Sequence, residues 1–514
     1  MSQTTVPAQL LGLDGVEIDV IEREADGSWT VHVTTAAPRA ACCPGCGHAA
    51  ERVRESTVHT VKHVTMVAMR VSWHKSRFWC GNAECGNASF VETGPLADRR
   101  AGISSHARTV TGHLVGDWLV PVSRVAAGVG MAWHTVHDAF VGVAAQAGIV
   151  VTDTTTTTDR GAGVACDAGP DRQDGETAGG GDPRVADADP GAVGTDLAAR
   201  PQRSVGGGVL PPVAVLGIDD HRRGKPLYHR DRSTGEWVAD ADRWQTVFVD
   251  SAGGHGLLGQ VEGRAGVDAA AWLAAQDPAW RAGITHVTID MSTVYNSVVT
   301  TSGLLPHAAL IVDAFHAVQL ANTMVGDVRR RVTFEHYGRR GRATDPEYTI
   351  KNQLVRGKEK LSERARNKLL CVLADLGGYG RQIGAAWRAK ELLRAVIGLS
   401  PNQTGVATTG HRLRRAFHAF FTFCGTIGAS VPEIVTLAQT ISTWRTEIAR
   451  GVLTGHSNAA AEGVNRLVKL VYRGAFGFTN VTHQQRRSRY TASRSTRPEW
   501  LHTVNTSAAP CVVT

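Results

Sequence analysis

The chain has 514 residues, 42% hydrophobic and 20% charged, and its 55 Lys plus Arg exceed its 47 Asp plus Glu for a net charge of +8. Ordinary globular usage excludes wholesale disorder and a fibrous protein, and at roughly 100 to 200 residues per domain the length predicts about three domains. No apolar run reaches the ~18 residues a membrane-spanning helix needs, and the opening MSQTTVPAQLLGLDG has neither a basic nor an apolar signal segment, so a soluble, cytoplasmic protein is expected.

The first predicted element is a β-hairpin, because GVEIDVIEREADGSWTVHVT alternates apolar and polar residues around an Asp-Gly turn. Five of the nine cysteines follow between positions 42 and 85. Cys43 and Cys46 form C-x-x-C around a Pro-Gly turn that lets two thiolates converge, and Cys80 and Cys85 form C-x4-C. Four thiolates close a tetrahedral structural Zn²⁺ site with no open position, so the pattern reads as a zinc ribbon over residues 1–98. Disulfides and a redox C-x-x-C are the competing readings, and Cys42 allows a second register with the less common C-x3-C spacing.

Residues 99–150 predict three helices, in which Ser123 can cap the second and Gly128 and Gly130 occupy the turn before the third. A helix starting near Ala132 would present Trp133, His134, Thr135 and His137 in its first turns, where the recognition helix of a helix-turn-helix meets base edges; any small three-helix bundle looks similar.

Residues 151–210 contain 12 of the 56 glycines, no aromatic residue and a net charge of −5, which leaves +13 for the rest. Such a stretch cannot bury enough apolar surface to fold and is read as a linker. Beyond it, VAVLGIDD, WQTVFVDS, THVTIDM and AALIVDAFH are short apolar runs expected as buried strands, and from about 318 to 450 nearly every segment has helical spacing.

Asp219, Asp290 and Asp313 each end a strand-like run, and carboxylates at the ends of neighbouring strands converge as hard divalent cations require. Far downstream, GHSNAAAEGVNRLVKLVYRGAFGF sets Asn458, Glu462, Arg466, Lys469 and Arg473 along one helix face, a carboxylate beside a phosphate track. Two Mg²⁺ or Mn²⁺ ions on such carboxylates would serve in-line displacement at phosphorus. Each residue taken singly is as well explained as a strand end or a solvated helix position. Arginine clusters at 329–331, 339–342 and 412–415, and Arg486, Arg487 and Arg489 in HQQRRSRYTASRSTR, are expected to contact DNA backbone, the last cluster above all, with solvated helix faces as the alternative for any one of them.

CPGCG with RFWCGNAECGNASFVE, then LGIDD, THVTIDMSTVY, IVDAFHAVQLAN and NAAAEGVNRLVKLVYRGAFGFTN, resemble the bacterial insertion-sequence transposases of the ISL-three family over nearly all the chain except the linker. The resemblance implies a DDE transposase with Asp219, Asp290 and Glu462 as its triad, a supporting D-x-x-H of Asp313 and His316, and double-stranded DNA as partner, acted on by a homo-oligomer. Where the family reads Asp-Glu this chain reads Asp219-Asp220, so either residue can be the first ligand. The implied architecture is a multi-domain α/β protein. An N-terminal zinc ribbon and helix-turn-helix precede a ribonuclease-H-like catalytic core (211–326 and 456–492) interrupted by an all-α insertion (327–455), and a basic tail (493–514) follows. A metal-dependent nuclease of the same core fold, or a DNA-binding regulator with an inactive core, are the alternative functions.

Overall fold

A computed structural model describes residues 11–36, 42–50, 52–64, 68–149, 210–224, 228–239, 243–428 and 430–493. The linker expected at 151–210 lies outside the described residues except for its last position, and the basic tail outside them except for its first.

The N-terminal sheet is built from β1 (Val16–Arg23), β2 (Trp29–Thr35), β3 (Val53–Val64), β4 (Ala68–Trp79) and β5 (Ser89–Val91) in the order β1-β2-β4-β3, with β5 on β4. The β1–β2 hairpin turns at Gly27, whose φ of 82° suits glycine. Period-two alternation drives one face inward: Val31, Val33, Val61, Val71 and Trp73 are all buried. Three helices follow, α1 (Ser105–Gly116), α2 (Val122–Val129) and α3 (Trp133–Gln146). Ser104 caps α1 by accepting the Ala107 amide at 3.0 Å. The cap expected at Ser123 is not formed. Pro121 stands at the α2 N-cap without a side-chain cap bond, and Ser123 is the second residue of the helix, past the N-cap position from which a hydroxyl accepts a first-turn amide. Gly130 ends α2 in the left-handed conformation, φ 61°, as the turn before α3 requires.

The second sheet comprises β6 (Val215–Arg222), β9 (Trp244–Asp250), β10 (Leu257–Glu262), β11 (His286–Ile289) and β12 (Ala309–Val312), in the order β10-β9-β6-β11-β12; β7 (Tyr228–Arg230) and β8 (Trp237–Ala239) pair only with each other. β9 runs antiparallel to β6 and β10, whereas β6, β11 and β12 are parallel. Helices α4 (Gly266–Ala274) and α6 (Thr293–Thr300), with the short α5 (Pro278–Ala282), connect the later strands. The central strand β6 is an unbroken buried run from Val215 to Asp219 because both of its faces are covered.

The helical region runs through α7 (Ala314–Tyr337), α8 (Pro346–Thr349), α9 (Lys351–Val355), α10 (Glu363–Asp375), α11 (Gly377–Ile397), α12 (Pro401–Thr404), α13 (Gly410–Ile427), α14 (Pro432–Thr443) and α15 (Arg445–Thr454). The boundary expected at 326/327 falls within α7, a continuous helix of 24 residues. Its core joins that of the sheet: Leu216, Ile218 and Val312 belong to one buried cluster with Val325, Phe417 and Ile448. No helix among the described residues is long and apolar enough to cross a membrane.

The chain then returns to the sheet. Helix α16 (Ala459–Gly474) buries Ala461, Val464 and Val468 against Val247, Val249 and Leu257, on the spacing that makes one apolar face. α17 (Val481–Ala492) carries Tyr490 into the core of the three-helix unit, edge-on to Phe140 at 5.5 Å, and so ties that unit to the half of the chain that carries the second sheet.

Candidate active site

Strands β6 and β11 deliver the first carboxylates. Their parallel register pairs Val287 with Leu216 and Thr288 with Gly217, and continuing it brings Asp290 level with Asp219. Adjacent residues of a strand point to opposite faces, and Asp219 and Asp220 do so: Asp219 accepts from Asn465 of α16 at 2.6 Å, whereas Asp220 accepts from the Tyr295 hydroxyl of α6 at 3.2 Å. Tyr295 is itself held by the Thr246 hydroxyl at 3.0 Å. Asp219, Asp220, Asp290, Tyr295 and His316 line a common cavity of about 570 Å³.

One helix positions both strand ends. Asn458, at the N-cap of α16 and fully buried, donates to Asp290 Oδ1 at 3.1 Å and accepts from Thr288 at 3.2 Å. Asn465, two turns on, holds Asp219, and between them Glu462 stands in the first turn, its side chain 30% exposed and 3.8 Å from Arg466. Glu462 opens toward a neighbouring cavity that it shares with Asp313. Sequence reading placed Asn458 on the helix face without assigning it a partner and did not single out Asn465, Tyr295 or Thr288. Asn465 lies three residues after Glu462, one turn along the same face, and that spacing was the available signal.

Asp313 caps α7 by accepting the Phe315 amide at 3.1 Å. One turn on, His316 Nδ1 stands 3.2 Å from Asp290 Oδ1 and 3.7 Å from Asp313 Oδ2, and these three residues can share one ion. Asp313 and Asp290 raise the His316 pKa against the effect of burial. Burial first, then the charge of Asp290, pushes the Asp219 carboxyl up to about 7, and burial raises Asp290 as well. Carboxylates crowded in a low-dielectric site with their neutral forms favoured are a donor set that suits a hard divalent cation, which supplies the missing positive charge.

The cysteines form a second constellation. Cys43, Cys46, Cys80 and Cys85 place their sulfurs within 4.8 Å of one another, with Cys43 to Cys85 at 3.7 Å and Cys46 to Cys80 at 3.6 Å. A tetrahedron of ~2.3 Å Zn–S bonds has edges of about 3.8 Å, so the spacing fits Zn²⁺. The Gly45 amide holds the Cys43 thiol down to about 6, whereas the neighbouring sulfurs and burial raise Cys80 and Cys85, a crowding of thiols that a cation relieves. Cys42 lies outside the group, bridged through its backbone to Ala49.

On α3, Trp133 and His134 are exposed and Thr135 is half-buried. His137 is not free to read a base: it stacks on Trp133 at 4.9 Å and abuts His483 of α17 at 4.1 Å. On α16, Arg466, Lys469 and Arg473 are exposed. The DNA contacts expected of Arg487 and Arg489 are corrected by the fold. Both are buried, and Arg487 donates to the Val120 carbonyl at 3.0 Å, because α17 is sandwiched between the second sheet and the three-helix unit; of that cluster Arg486 is half-buried. Arg331 is likewise committed, to Glu433 at 2.6 Å and Glu335 at 3.0 Å, and Arg339 to Asp345 at 2.8 Å.

Residues 236–488 match the family model of ISL3-type DDE transposases, described as Transposase. The match spans Asp290, Asp313, His316 and Glu462 and begins after Asp219 and Asp220. No curated protein matches the chain. A solved structure, the Drosophila P element transposase strand transfer complex, aligns with 56% of this chain and 78% of its own at a TM-score of 0.32 and 8% identity. Over residues 236–488 the chain belongs to the ISL3 transposase family.

Proposed function

We propose that this transposase binds the ends of its insertion element and performs metal-dependent strand cleavage and strand transfer, with Asp219, Asp290 and Glu462 as the metal-holding triad. The observation that carries this reading is the α16 arrangement: Asn465 and Asn458 fasten one helix to Asp219 and Asp290, and Glu462 lies between them. The mixed sheet, with β6 and β11 parallel at its centre, and the long helical segment before α16 support a ribonuclease-H-like core with an all-α insertion. Mg²⁺ or Mn²⁺, when bound, activates the attacking water or 3′-hydroxyl and neutralises the leaving oxygen. Asp219 and Asp290 orient toward one cavity, and the two asparagines keep their carboxylates from turning away. Tyr295 holds Asp220, and His316 braces Asp290. Arg466, Lys469 and Arg473 offer the phosphates an exposed cationic face that continues from Glu462.

The three-helix unit reads the ends through Trp133, His134 and Thr135, and Cys43, Cys46, Cys80 and Cys85 hold a structural Zn²⁺ at the other end of the β3–β4 hairpin. The protein acts as an oligomer on DNA. The test is Mg²⁺-dependent cleavage and joining by a pre-formed complex on an end-containing duplex. Asp290→Asn and Glu462→Gln lose both steps by orders of magnitude and keep end binding, because they remove the charge that holds the cation. Unchanged cleavage by either variant removes the triad assignment, and cleavage without joining by the wild-type protein marks a nuclease.

A further inference from the structure

Helix α16 ends in a hydrogen-bond pattern that favours glycine, and a phenylalanine occupies it. The Phe476 amide donates to the Arg473 carbonyl at 3.0 Å and the Gly477 amide to the Tyr472 carbonyl at 3.0 Å. These are the paired bonds of a Schellman motif, whose C′ residue adopts the left-handed conformation. That residue is Phe476, φ 57°. Glycine takes this conformation without a Cβ clash, and a bulky residue is strained there. Among the described residues three non-glycines have positive φ, namely Arg100, Leu119 and Phe476.

Packing does not compensate the strain. Phe476 is 77% exposed, more than any other large hydrophobic residue described. The guanidinium of Arg124, from α2, sits 5.3 Å from the ring centroid, and Arg473 and Lys469 are exposed on the preceding turns of α16. The loop between α1 and α2 abuts this end: a Cβ at Gly474 would lie 3.4 Å from the Leu119 carbonyl, and Trp118, beside Leu119, is 71% exposed. An exposed ring against the Arg124 cation therefore stands at the seam between the three-helix unit and the helix that carries Glu462, with the exposed Trp118 on the adjoining loop. Backbone strain kept without a packing return belongs to functional positions. Exposed rings on a basic surface suit nucleobases, which offer a π-face to the ring and phosphates to the cations.

We propose that Phe476 is a base-stacking wedge: its ring enters the DNA at the end of α16 opposite Glu462, roughly 20 Å along the helix from that carboxylate, and holds one nucleotide out of the stack, as apolar side chains do in kinked duplexes. The left-handed cap is what aims the ring outward from the helix end. This inference rests on the transposase reading and adds a residue outside the triad. An apolar protein partner is disfavoured as the occupant because it would strip water from Arg124, Arg473 and Lys469 without supplying an anion.

The test uses the full chain, Ca²⁺ in place of Mg²⁺, and duplexes copied from the DNA flanking the reading frame, with thymine placed at successive steps around the cleavage position. Permanganate oxidises unstacked thymine. The wild-type complex gives enhanced oxidation at neighbouring steps. At protein concentrations that saturate the duplex, Phe476→Gly loses it by about tenfold and melts at a higher temperature, whereas Phe476→Trp retains it. With Mg²⁺, a mismatch at the reactive step restores cleavage by Phe476→Gly. Unchanged oxidation in Phe476→Gly, a lowered melting temperature, or a changed oligomeric state of the free protein overturns the wedge. Wild-type binding with no reactive thymine overturns the wedge alone, and a wild-type protein that does not prefer the flanking duplex over random DNA overturns the transposase reading beneath it.

Discussion

The side-chain amide of Asn465 donates to Oδ2 of Asp219 at 2.6 Å, joining helix α16 to the central strand across 246 residues of sequence. Groups that orient a metal-holding carboxylate typically contribute 10–100-fold to affinity or activity. Asn465→Ala should therefore lower Mg²⁺-dependent cleavage by about that factor and raise the Mg²⁺ concentration needed for half-maximal rate, with end binding retained. Asn465→Asp should be worse, because it sets a second carboxylate against one already pushed up to about 7 by burial and by Asp290. A metal titration of cleavage decides this, and an unchanged midpoint in both variants removes the orienting role.

Asp219 and Asp220 should separate sharply. Asp219→Asn removes a charge facing Asp290 and α16 and should cost orders of magnitude in cleavage rate. Asp220→Asn keeps an oxygen that accepts from Tyr295 and should cost only about tenfold or less. Single-turnover rates on a pre-formed complex provide the comparison, and the reverse order would move the first ligand by one residue.

Cys46→Ser should release the N-terminal sheet from its metal and leave the catalytic half folded. The two halves bury separate hydrophobic clusters, one around Val33 and Trp73 and the other around Leu216 and Phe417. Metal analysis of the wild-type protein under reducing conditions should find one zinc per chain, and proteolysis of the variant should remove the N-terminal region first. Zinc bound stoichiometrically by the Cys46→Ser protein would refute the four-thiolate site.

Arg487 and Lys469 test the corrected interface. Lys469→Ala should weaken end binding and reduce the slope of log affinity against log salt by about one, since one phosphate contact is lost. Arg487→Ala should leave that slope unchanged and destabilise the fold by roughly 1–3 kcal/mol, because it removes the partner of the Val120 carbonyl from a buried seam. Salt-dependent binding and denaturant melts distinguish the two.

Acid should loosen the N-terminal half through His63. Its ring is fully buried, with Nε2 donating to the Leu11 carbonyl at 2.6 Å and Nδ1 facing the Ser104 hydroxyl at 2.6 Å. Burial lowers its pKa from 6.5, so the folded state prefers the neutral ring while the unfolded chain protonates near 6.5. The contribution is present above pH 6.5 and declines as pH falls below it toward the depressed folded value. His63→Gln should be less stable at neutral pH and should lose less stability between pH 7 and 5 than the wild type. Parallel stability curves for the two proteins would exclude His63 as the source.

Much of the chemistry was legible along the chain, because its determinants are local. The C-x-x-C and C-x4-C spacings marked the four cysteines that the fold brings within 4.8 Å. Apolar runs ending in Asp marked β6, β11 and β12, since a buried parallel strand reads as an unbroken hydrophobic stretch. Strands β7, β8 and β10 escaped notice, as β10 (LLGQVE) has a glycine and a buried Gln that break the pattern.

What the tertiary structure alone decided is which polar residues face which partners. Arg487 and Arg489 lie in a run of basic residues like any phosphate track, yet α17 is clamped between two units, and burial turns them into structural donors. Asn458 and Asn465 are ordinary helix residues until the α16 apolar face, docked on β9, aims them at Asp290 and Asp219. The sequence by itself determined the residue types, their periodicity and the strand ends that carry charge, because these follow from backbone geometry over a few residues. It left open the packing of α16 and α17, because contacts across more than 200 residues depend on how buried faces meet in three dimensions, and no local spacing records that choice.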